Sequence, residues 1–447
     1  MKDSLLDKKL EVEITGLTHE GKGVGRIDGK VVFVPKALPG EKVLCKVIKD
    51  RKSFLEGDLL EVIKSNPKRI KPGCEVIGDC GGCQLQHAQY QEQLRLKTNL
   101  VDDALQRIGN LSGYELQDII GMERPWGYRN KVVFQVGKVN GRIKLGFFKQ
   151  KSKELVPYTK CALLDENVQK VAEDVESLLN KIDQIDAKVA RILLRRSLKS
   201  GEMLLGFITT TATPNLNDIA KKLIEKYSDL KSIVQNFVDN SSEPWGSKTV
   251  LLAGREYITE QLKDITYRIS AASFFQINSL QAETLYEKVL QFSEIKGNEI
   301  VWDLYCGTGS ISLFLAKDSR HVYGIESVKK AVEDAKENAK INDIANVTFL
   351  AGKAERESMK LIDKGIRPDV IVVDPPRKGC HKDVLRAIIE TLPQRAVYVS
   401  CNPATLARDL KILTAGGYQV QEVQPVDMFP HTYHVECVIR IQRKKCL

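Results

Sequence analysis

Residues 299–310 read EIVWDLYCGTGS, an apolar run that ends in a turn containing two glycines, Gly307 and Gly309. The run fits a strand buried on both faces, and the glycines let the backbone turn tightly into a helix. Further apolar runs follow, separated by helical stretches: HVYGIES (321–327), NVTFLAG (346–352), DVIVVDPP (369–376) and AVYVSCNP (396–403). Such alternation is typical of a parallel sheet covered by helices on both sides. We therefore predict a Rossmann-like, doubly wound α/β domain over residues 262–447.

The last part of the chain departs from this alternation. Two strand-like segments, YQVQEVQPVDMF (418–429) and HVECVIRIQ (434–442), are joined by a short turn that contains a proline. Strands joined so closely must pair antiparallel. We expect the final strand to lie beside the fifth parallel strand and to start at the edge where the parallel strands end.

Two regions precede the α/β domain. Residues 1–66 contain short strands broken by glycine turns, as in KLEVEITGL and GKGVGRIDGKVVFVP, which predicts a small OB-like β-barrel. Residues 67–261 combine a helix in the stretch 86–109 with several strands and a second helix near 215–227, which predicts an α+β domain. At about 150 residues per domain, a chain of 447 residues fits this multidomain division into three.

Composition, charge and the lack of targeting segments favour a cytoplasmic protein that can bind a polyanion. The formal net charge is +10, and residues 124–160 hold ten Lys or Arg against one acidic residue. Such a run can bind a polyanion, although a basic run taken alone is more often a solvated face. The N-terminus lacks a signal-peptide pattern, and no stretch approaches the roughly 18 apolar residues of a membrane span. We expect a cytoplasmic protein without membrane contact, and a monomer by default.

A ligand site is predicted where the parallel strands end. Glu326 stands nineteen positions after Gly307, where its carboxylate can accept hydrogen bonds from ribose hydroxyls. Two ligands fit this pattern, a dinucleotide and S-adenosylmethionine. Position 312 is serine where the dinucleotide motif needs a third glycine, and the acidic Asp303 favours S-adenosylmethionine. Asp374, followed by two prolines, adds a carboxylate held by a stiff turn at the same edge.

Cys401 follows the fifth parallel strand and so reaches the same edge as Asp374. A single cysteine is by default a small buried hydrophobe, but a thiol at a ligand-bearing edge can act as a covalent nucleophile. Glu436, near the start of the final strand, is a charged residue among apolar neighbours, which is costly unless the charge is used or paired. We predict Cys401 as the nucleophile and Glu436 as the general base that removes a proton from the substrate after Cys401 has added to it.

The chain resembles the RNA uracil-5 methyltransferases over most of residues 270–440. The matching segments are FFQIN (274–278), DLYCGTGSISL (303–313), GIE (324–326), DPPRKG (374–379), SCNPATLARDL (400–410) and HVECV (434–438). The resemblance implies a class I S-adenosylmethionine-dependent enzyme in which Cys401 attacks C6 of uracil and Glu436 accepts the C5 proton. It also implies that Phe274 stacks on a flipped base. The residues implied to contact S-adenosylmethionine are Gln276, Tyr305, Glu326 and Asp374.

The cysteines Cys74, Cys80, Cys83 and Cys161 have a spacing that suits either zinc or an iron–sulfur cluster. The resemblance implies a [4Fe–4S] cluster with a structural or RNA-positioning role. It also implies that the N-terminal barrel is a TRAM domain, which accompanies the ribosomal members of the family and is missing from the tRNA members. The expected substrate is therefore 23S ribosomal RNA, with a tRNA uracil-5 methyltransferase as the alternative.

A rival hypothesis from another class is a non-catalytic RNA-binding scaffold that senses iron or oxygen through its cysteines. It accounts for the basic run and the cysteines. It leaves unexplained why Cys401 and Glu436 stand at matching strand ends, and it predicts no dependence on a methyl donor.

Overall fold

The computed structural model describes residues 4–444 other than 151, 183, 184, 186, 187, 214 and 241. The outer limits of the predicted domains, residues 1 and 447, lie outside this part of the chain. Five described strands close into a small barrel in the order β1-β2-β3-β5-β4, which confirms the predicted barrel. Alternate residues of β4, such as Val43 and Val47, are fully buried and fill the barrel interior. The strands are β1 Lys9–Leu17, β2 Lys22–Ile27, β3 Lys30–Pro35, β4 Lys42–Asp50 and β5 Phe54–Lys64.

The central region contains a sheet of seven described strands in the order β13-β12-β11-β10-β7-β8-β9. Its neighbours pair antiparallel except for β11 and β12. The helices α2 and α3 contribute apolar residues to the core on this sheet. The elements are α1 Tyr90–Arg107, β6 Glu115–Leu116, β7 Lys131–Val139, β8 Arg142–Phe148, β9 Leu155–Pro157, α2 Glu166–Leu179, β10 Val189–Arg196, β11 Met203–Thr209, α3 Leu216–Lys226, β12 Leu230–Phe237 and β13 Lys248–Gly254.

The C-terminal region is the predicted α/β domain. Eight described strands form one sheet in the order β18-β17-β16-β19-β20-β22-β21-β6, and β14 and β15 form a separate hairpin. The five strands β16 to β20 run parallel, and β22 is antiparallel to β20 and β21. The elements are β14 Tyr257–Leu262, β15 Ile265–Ser270, α4 Ser279–Ser293, β16 Ile300–Leu304, α5 Ser310–Ala316, β17 His321–Glu326, α6 Lys329–Ile341, β18 Val347–Ala351, α7 Ala354–Asp363, β19 Val370–Val373, α8 Lys382–Thr391, β20 Arg395–Ser400, α9 Pro403–Ala415, β21 Tyr418–Val426 and β22 Glu436–Arg443.

Two elements from the predicted central region pack on the α/β sheet. The helix α1 lies against α9, and the short strand β6 pairs parallel with β21 at the sheet edge. Val101 and Leu105 of α1 belong to the core that fills one side of this sheet. The domain limits at residues 66 and 261 remain predictions. No described helix combines the length and the apolar character needed to cross a membrane.

Candidate active site

Cys401 and Glu436 lie on neighbouring strands at one edge of the α/β sheet. The last pair in the antiparallel ladder between β20 and β22 joins Ser400 to Cys437. Cys401 and Glu436 are each one residue further toward the edge, so the ladder brings them opposite each other. Asn402 then caps α9 by accepting a hydrogen bond from the Ala404 amide (3.0 Å). The strand end and the cap together hold Cys401 at the carboxyl edge of the parallel strands, as the sequence predicts.

The environment of this pair favours the protonated forms. Burial raises the pKa of the Cys401 thiol to about 12, with the charges of Glu436 and Asp374 adding to the rise. Burial also raises the pKa of Glu436 well above its usual range, and Asp374 again adds to the effect. Glu436 is only 6% exposed, so its charged form loses almost all contact with water. The mutual effects show that these three groups share one electrostatic environment.

Arg377 supplies the opposing charge, and our sequence analysis assigned it no role. Its guanidinium lowers the pKa of both Cys401 and Glu436. The Arg377 Nη2 atom lies 3.1 Å from Nε2 of His434, and the carbonyl of Arg377 accepts hydrogen bonds from Asn402 Nδ2 and Thr405 Oγ1, both at 3.1 Å. The signal that could have found it is its place directly after Asp374-Pro-Pro, where the turn directs it to the edge that carries Cys401.

A second group of carboxylates lies at the ends of β16 and β17. Asp303 is fully buried and accepts a hydrogen bond from Ser312 Oγ at 2.5 Å, while its other oxygen, Oδ1, has no hydrogen-bond partner among the described residues. Burial raises the pKa values of Asp303 and of Asp374 to about 7. Glu326 accepts hydrogen bonds from the amides of Gly307 (3.3 Å) and Val328 (2.8 Å). This leaves a cradle of acidic oxygens around the glycine turn.

Tyr305 stands in the same turn, between β16 and the glycines. Its backbone has a positive φ of 69°, and its hydroxyl accepts a hydrogen bond from the His381 amide at 3.2 Å. Burial raises the pKa of this hydroxyl to about 12. The ring is thus held between the turns that follow β16 and β19. The structure places Tyr305, Glu326 and Asp374 at the same sheet edge, as the sequence predicts.

The segment 270–278 carries Phe274 and Gln276 and precedes α4. Phe274 is 67% exposed, whereas the carbonyl of Gln276 accepts a hydrogen bond from Asn130 Nδ2 at 2.8 Å. Burial raises the pKa of the Tyr286 hydroxyl, with Asp374 adding to the rise and Gln276 opposing it. The side chains of Asp374 and Gln276 therefore both lie near the Tyr286 hydroxyl. Phe274 is thus an exposed aromatic ring two residues before the hydrogen-bonded Gln276 carbonyl.

The four cysteines singled out in the sequence, Cys74, Cys80, Cys83 and Cys161, line one cavity of about 510 Å³ together with Arg129. Burial raises the pKa of Cys83 to about 12 and also raises the pKa values of Cys80 and Cys161, while Arg129 opposes all three increases. Within the described residues, no three His, Cys, Asp or Glu side chains are grouped closely enough to hold a metal ion. The cysteines share a cavity without forming a ready site for a single ion.

The loop between β21 and β22 leads into Glu436, and α1 holds it through buried polar contacts that the sequence did not reveal. Lys97 Nζ lies 2.5 Å from Asp427 Oδ1, and neither side chain is exposed. Tyr90 donates to the other oxygen of Asp427 at 2.9 Å, and Gln93 Oε1 accepts from the His431 amide at 2.9 Å. The helix α1 therefore holds the start and the middle of the loop that precedes the candidate base.

Comparison with known proteins agrees with this geometry. A family model described as tRNA (Uracil-5-)-methyltransferase matches residues 89–444, most of the chain. The chain belongs to this family. The methyltransferase also matches the TRAM domain model over residues 5–60, which identifies its N-terminal barrel. The family assignment makes this protein an RNA uracil-5 methyltransferase.

Full-length relatives support the same assignment. The methyltransferase is 43% identical to an uncharacterized RNA methyltransferase of Bacillus cereus over 443 residues, covering 97% of this chain and 96% of the relative. It is 44% identical to an uncharacterized RNA methyltransferase of Caldanaerobacter subterraneus, covering 98% of this chain and 99% of the relative. These relatives are similar along their whole length, so they share the barrel as well as the catalytic region.

One solved structure is similar over nearly the whole molecule. It is a Pyrococcus abyssi tRNA (uracil-54, C5)-methyltransferase in complex with S-adenosyl-L-homocysteine, with 27% identity and a TM-score of 0.76. The similarity covers 97% of this methyltransferase and 100% of that chain. Coverage this complete extends into the barrel region of a tRNA enzyme. We expected the barrel to occur in the ribosomal members of the family and to be missing from the tRNA members. That expectation was wrong, because the barrel does not distinguish the two substrates.

Proposed function

We propose that this methyltransferase transfers a methyl group from S-adenosylmethionine to C5 of a uridine in 23S ribosomal RNA, through a transient bond between Cys401 and C6 of the uracil ring. The observation that carries this proposal is the placement of Cys401 opposite Glu436, one residue beyond the Ser400–Cys437 pair. A nucleophile and a base on adjacent strands can act on neighbouring carbons of one ring.

The first step is addition of Cys401 to C6 as the thiolate, which forms when the thiol releases its proton to solvent. The new S–C6 bond displaces the electrons of the C5–C6 double bond, and C5 becomes a nucleophilic enolate carbon. Arg377 assists because its charge lowers the pKa of the thiol, which burial has raised to about 12. The enolate then takes the methyl group, and the S–CH₃ bond of the donor breaks with its electron pair left on sulfur.

The second step is removal of the C5 proton by Glu436. The electrons of the C5–H bond re-form the C5–C6 double bond, and the Cys401 thiolate leaves. Burial raises the pKa of Glu436, which makes its carboxylate a stronger base than an exposed glutamate. Glu436 must be ionised when it acts, and the charge of Arg377 favours that form.

The acidic cradle fits S-adenosylmethionine. When bound, this cofactor supplies an electrophilic methyl group on a positively charged sulfur. Asp303 Oδ1 is buried and finds no hydrogen-bond partner in the described part of the chain, which suits a donor group of the ligand. The position where a Cβ of Gly307 would stand has no atom within 4 Å, so the turn leaves open space. Glu326 would bind ribose hydroxyls, and Gln276, Tyr305 and Asp374 would orient the cofactor. The exposed Phe274 ring would stack on the target base once it leaves its helix.

We further propose that Cys74, Cys80, Cys83 and Cys161 hold a [4Fe–4S] cluster. Four thiols lining a single cavity are the donor set that such a cluster requires. In such a cluster each thiol would bind a different iron, so the four cysteines would not need to surround a single ion. Metal and sulfide analysis of anaerobically purified protein tests this assignment. Iron and sulfide in equal amounts support it, whereas one zinc and no sulfide would contradict it.

The choice of 23S ribosomal RNA rests on the four cysteines, because the barrel does not distinguish the two substrates. A tRNA substrate is the second candidate, favoured by the full-length similarity to a tRNA (uracil-54, C5)-methyltransferase. Methylation of unmodified 23S ribosomal RNA and unmodified tRNA side by side, followed by mapping of 5-methyluridine, separates them. Exclusive methylation of tRNA would overturn the ribosomal assignment and leave the chemistry intact.

The catalytic roles are tested with two variants and donor-dependent methyl transfer. Cys401→Ala should bind RNA normally and give no product, because no enolate can form. Glu436→Gln should accumulate a denaturation-resistant protein–RNA adduct, because the thiolate cannot leave until the C5 proton is removed. Turnover by Cys401→Ala would contradict the covalent route. Slow turnover of Glu436→Gln without an adduct would assign the base to another residue.

A further inference from the structure

A cavity of about 380 Å³ opens beside Cys401 and is shared by three parts of the molecule. The β1–β2 turn of the barrel contributes Leu17 and His19 to its walls, and the C-terminal end of α1 contributes Arg107 and Ile108. Tyr433 and His434, just before β22, line it from the catalytic side. A volume of this size falls in the range of pockets that bind small ligands.

The cavity lies on one particular side of Cys401. Arg377 and Cys401 line it, whereas Asp374, Glu436 and Phe274 are not among its described lining residues. The target uracil must meet Glu436 and the methyl donor, which the Asp374 side of the site would hold. The cavity therefore adjoins the target base without containing it.

The lining suits an unpaired nucleotide. Tyr433 and His434 place two aromatic rings 4.1 Å apart, and burial lowers the pKa of His434 to about 4, so its ring is neutral at physiological pH. Arg377 and Arg107 provide positive charge at the walls. Among the described residues, Arg107 forms an ion pair with the exposed Asp103 at 3.1 Å, an interaction weak enough to exchange for a phosphate. Aromatic rings with neighbouring arginines are the usual means of binding single-stranded RNA.

We propose that this cavity binds the base of the nucleotide that adjoins the target uridine in the RNA chain. The inference rests on the proposed function, because it takes Cys401 as the point where the target base is held. It gives the barrel and α1 a defined task. They form the other walls of the cavity in which the neighbouring base stacks on Tyr433 and His434, so they help select which uridine is presented to Cys401.

The test combines a cavity-filling variant with RNA lacking one base. Ile108→Trp fills the cavity from a position that is 47% exposed, so folding should be unaffected. Leu392→Trp is the matched control, because Leu392 is 52% exposed and precedes β20 at the opposite edge of the sheet. The substrates are a hairpin of 23S ribosomal RNA around the mapped uridine and two versions with an abasic site directly 5′ or 3′ of it.

With the wild-type protein, one abasic substitution should lower kcat/KM by between about fivefold and about 150-fold, the range expected for one lost stacking contact. Ile108→Trp should show a similar loss on intact RNA and little further loss on that abasic RNA, because both changes remove one interaction. Leu392→Trp should behave as wild type.

Three results would overturn the cavity assignment. The first is that neither abasic site lowers kcat/KM, and the second is that the losses in kcat/KM from Ile108→Trp and from the abasic site multiply. The third is complete loss of the Cys401 adduct in Ile108→Trp, whether or not the neighbouring base is present. The last would mean that the target base itself occupies the cavity. Failure of the proposed function appears separately, as absence of methyl transfer and adduct with wild-type protein on intact RNA.

Discussion

Cys401 and Glu436 both favour their protonated forms in the RNA-free protein. The pKa of Cys401 is about 12, and the pKa of Glu436 is raised well above its usual range. A half-buried thiolate beside a buried carboxylate would bring two like charges together in a region of low dielectric constant. Storing the pair in neutral form avoids that cost. Each charge is then needed only while the RNA and a cationic donor are bound.

Arg377→Met tests the electrostatic role of Arg377. Removal of this cation should raise the pKa of Cys401 further, so alkylation of Cys401 by iodoacetamide at pH 8 should slow, by about tenfold for each pKa unit gained. Mass spectrometry of the peptide containing Cys401 gives the rate. Arg386→Met, an exposed arginine on α8, serves as the control. Equal rates in Arg377→Met and wild type would contradict the role.

Asp303 and Asp374 predict a pH dependence of cofactor binding. Both pKa values are raised to about 7, so both carboxyls are largely neutral below pH 7 and ionised above it. A cationic ligand binds the ionised form better, so affinity should increase as pH rises. For each group the affinity for S-adenosylmethionine should be up to about tenfold weaker at pH 6 than at pH 8. Calorimetry on wild type and Asp374→Asn measures it. A dissociation constant that is flat or lower at pH 6 would contradict the prediction.

Among the elements, α1 has the role that was hardest to predict from the sequence, because it holds the loop before Glu436 through buried polar contacts. Its periodicity predicts a helix, and the structure has one, but Lys97 reads as an ordinary polar position. Its partner Asp427 is 330 residues away, and a periodic pattern carries no information on such a pairing. The two-residue strand β6 is equally invisible, because it is too short to show alternation. By contrast, every parallel strand and the final antiparallel pair were predictable, because long apolar runs are required wherever both sheet faces are covered.

Lys97→Met measures the strength of this attachment. It leaves the Asp427 carboxylate buried without its cation, and loss of one partner of a buried ion pair costs roughly 3–5 kcal/mol of unfolding free energy. Urea denaturation provides the measurement. Arg107→Met removes the exposed Arg107–Asp103 pair of the same helix and should cost about 0.5 kcal/mol or less. Equal destabilisation by the two variants would contradict a special role for Lys97.

Three parts of the molecule are connected: the barrel, the segment 74–83 that carries three of the four cysteines, and the loop 427–435 that leads to Glu436. The amides of Gln84 and Leu85, directly after Cys83, both donate to the His431 carbonyl, at 3.0 and 2.9 Å. The segment that would hold the cluster thus contacts the loop leading to Glu436. The sequence predicted each of these parts separately. It could not predict their contacts, or the choice between ribosomal RNA and tRNA, because both depend on surfaces assembled from distant segments.

Glu41 connects the barrel to Arg69, in the segment that follows β5. Its fully buried carboxylate accepts two hydrogen bonds from Arg69, at 2.6 and 2.8 Å. Burial acts to raise the pKa of Glu41, but the hydrogen bonds from Arg69, Leu38 and Asn66 outweigh it and the pKa is lowered. A lowered pKa means that this stabilisation is present above pH 4.5 and is lost as pH falls through the folded-state value.

Glu41→Gln should therefore increase proteolytic release of the barrel at pH 7, and the difference from wild type should shrink as the pH approaches 4. Limited proteolysis with an acid-tolerant and a neutral protease gives the release rates, and Glu61→Gln on β5 controls for a change of surface charge. A difference that stays constant with pH would show that ionisation of Glu41 contributes nothing.

The central claim, that Cys401 bonds to the target base, is tested most directly with RNA in which 5-fluorouridine replaces that uridine. Fluorine at C5 leaves no proton for Glu436 to remove, so elimination stops after methyl transfer. Digestion and mass spectrometry should find the methylated fluoronucleotide attached to the peptide containing Cys401, and Cys401→Ala should give no adduct. An adduct on another residue, or efficient methylation of ordinary RNA by a protein that never forms one, would contradict the account.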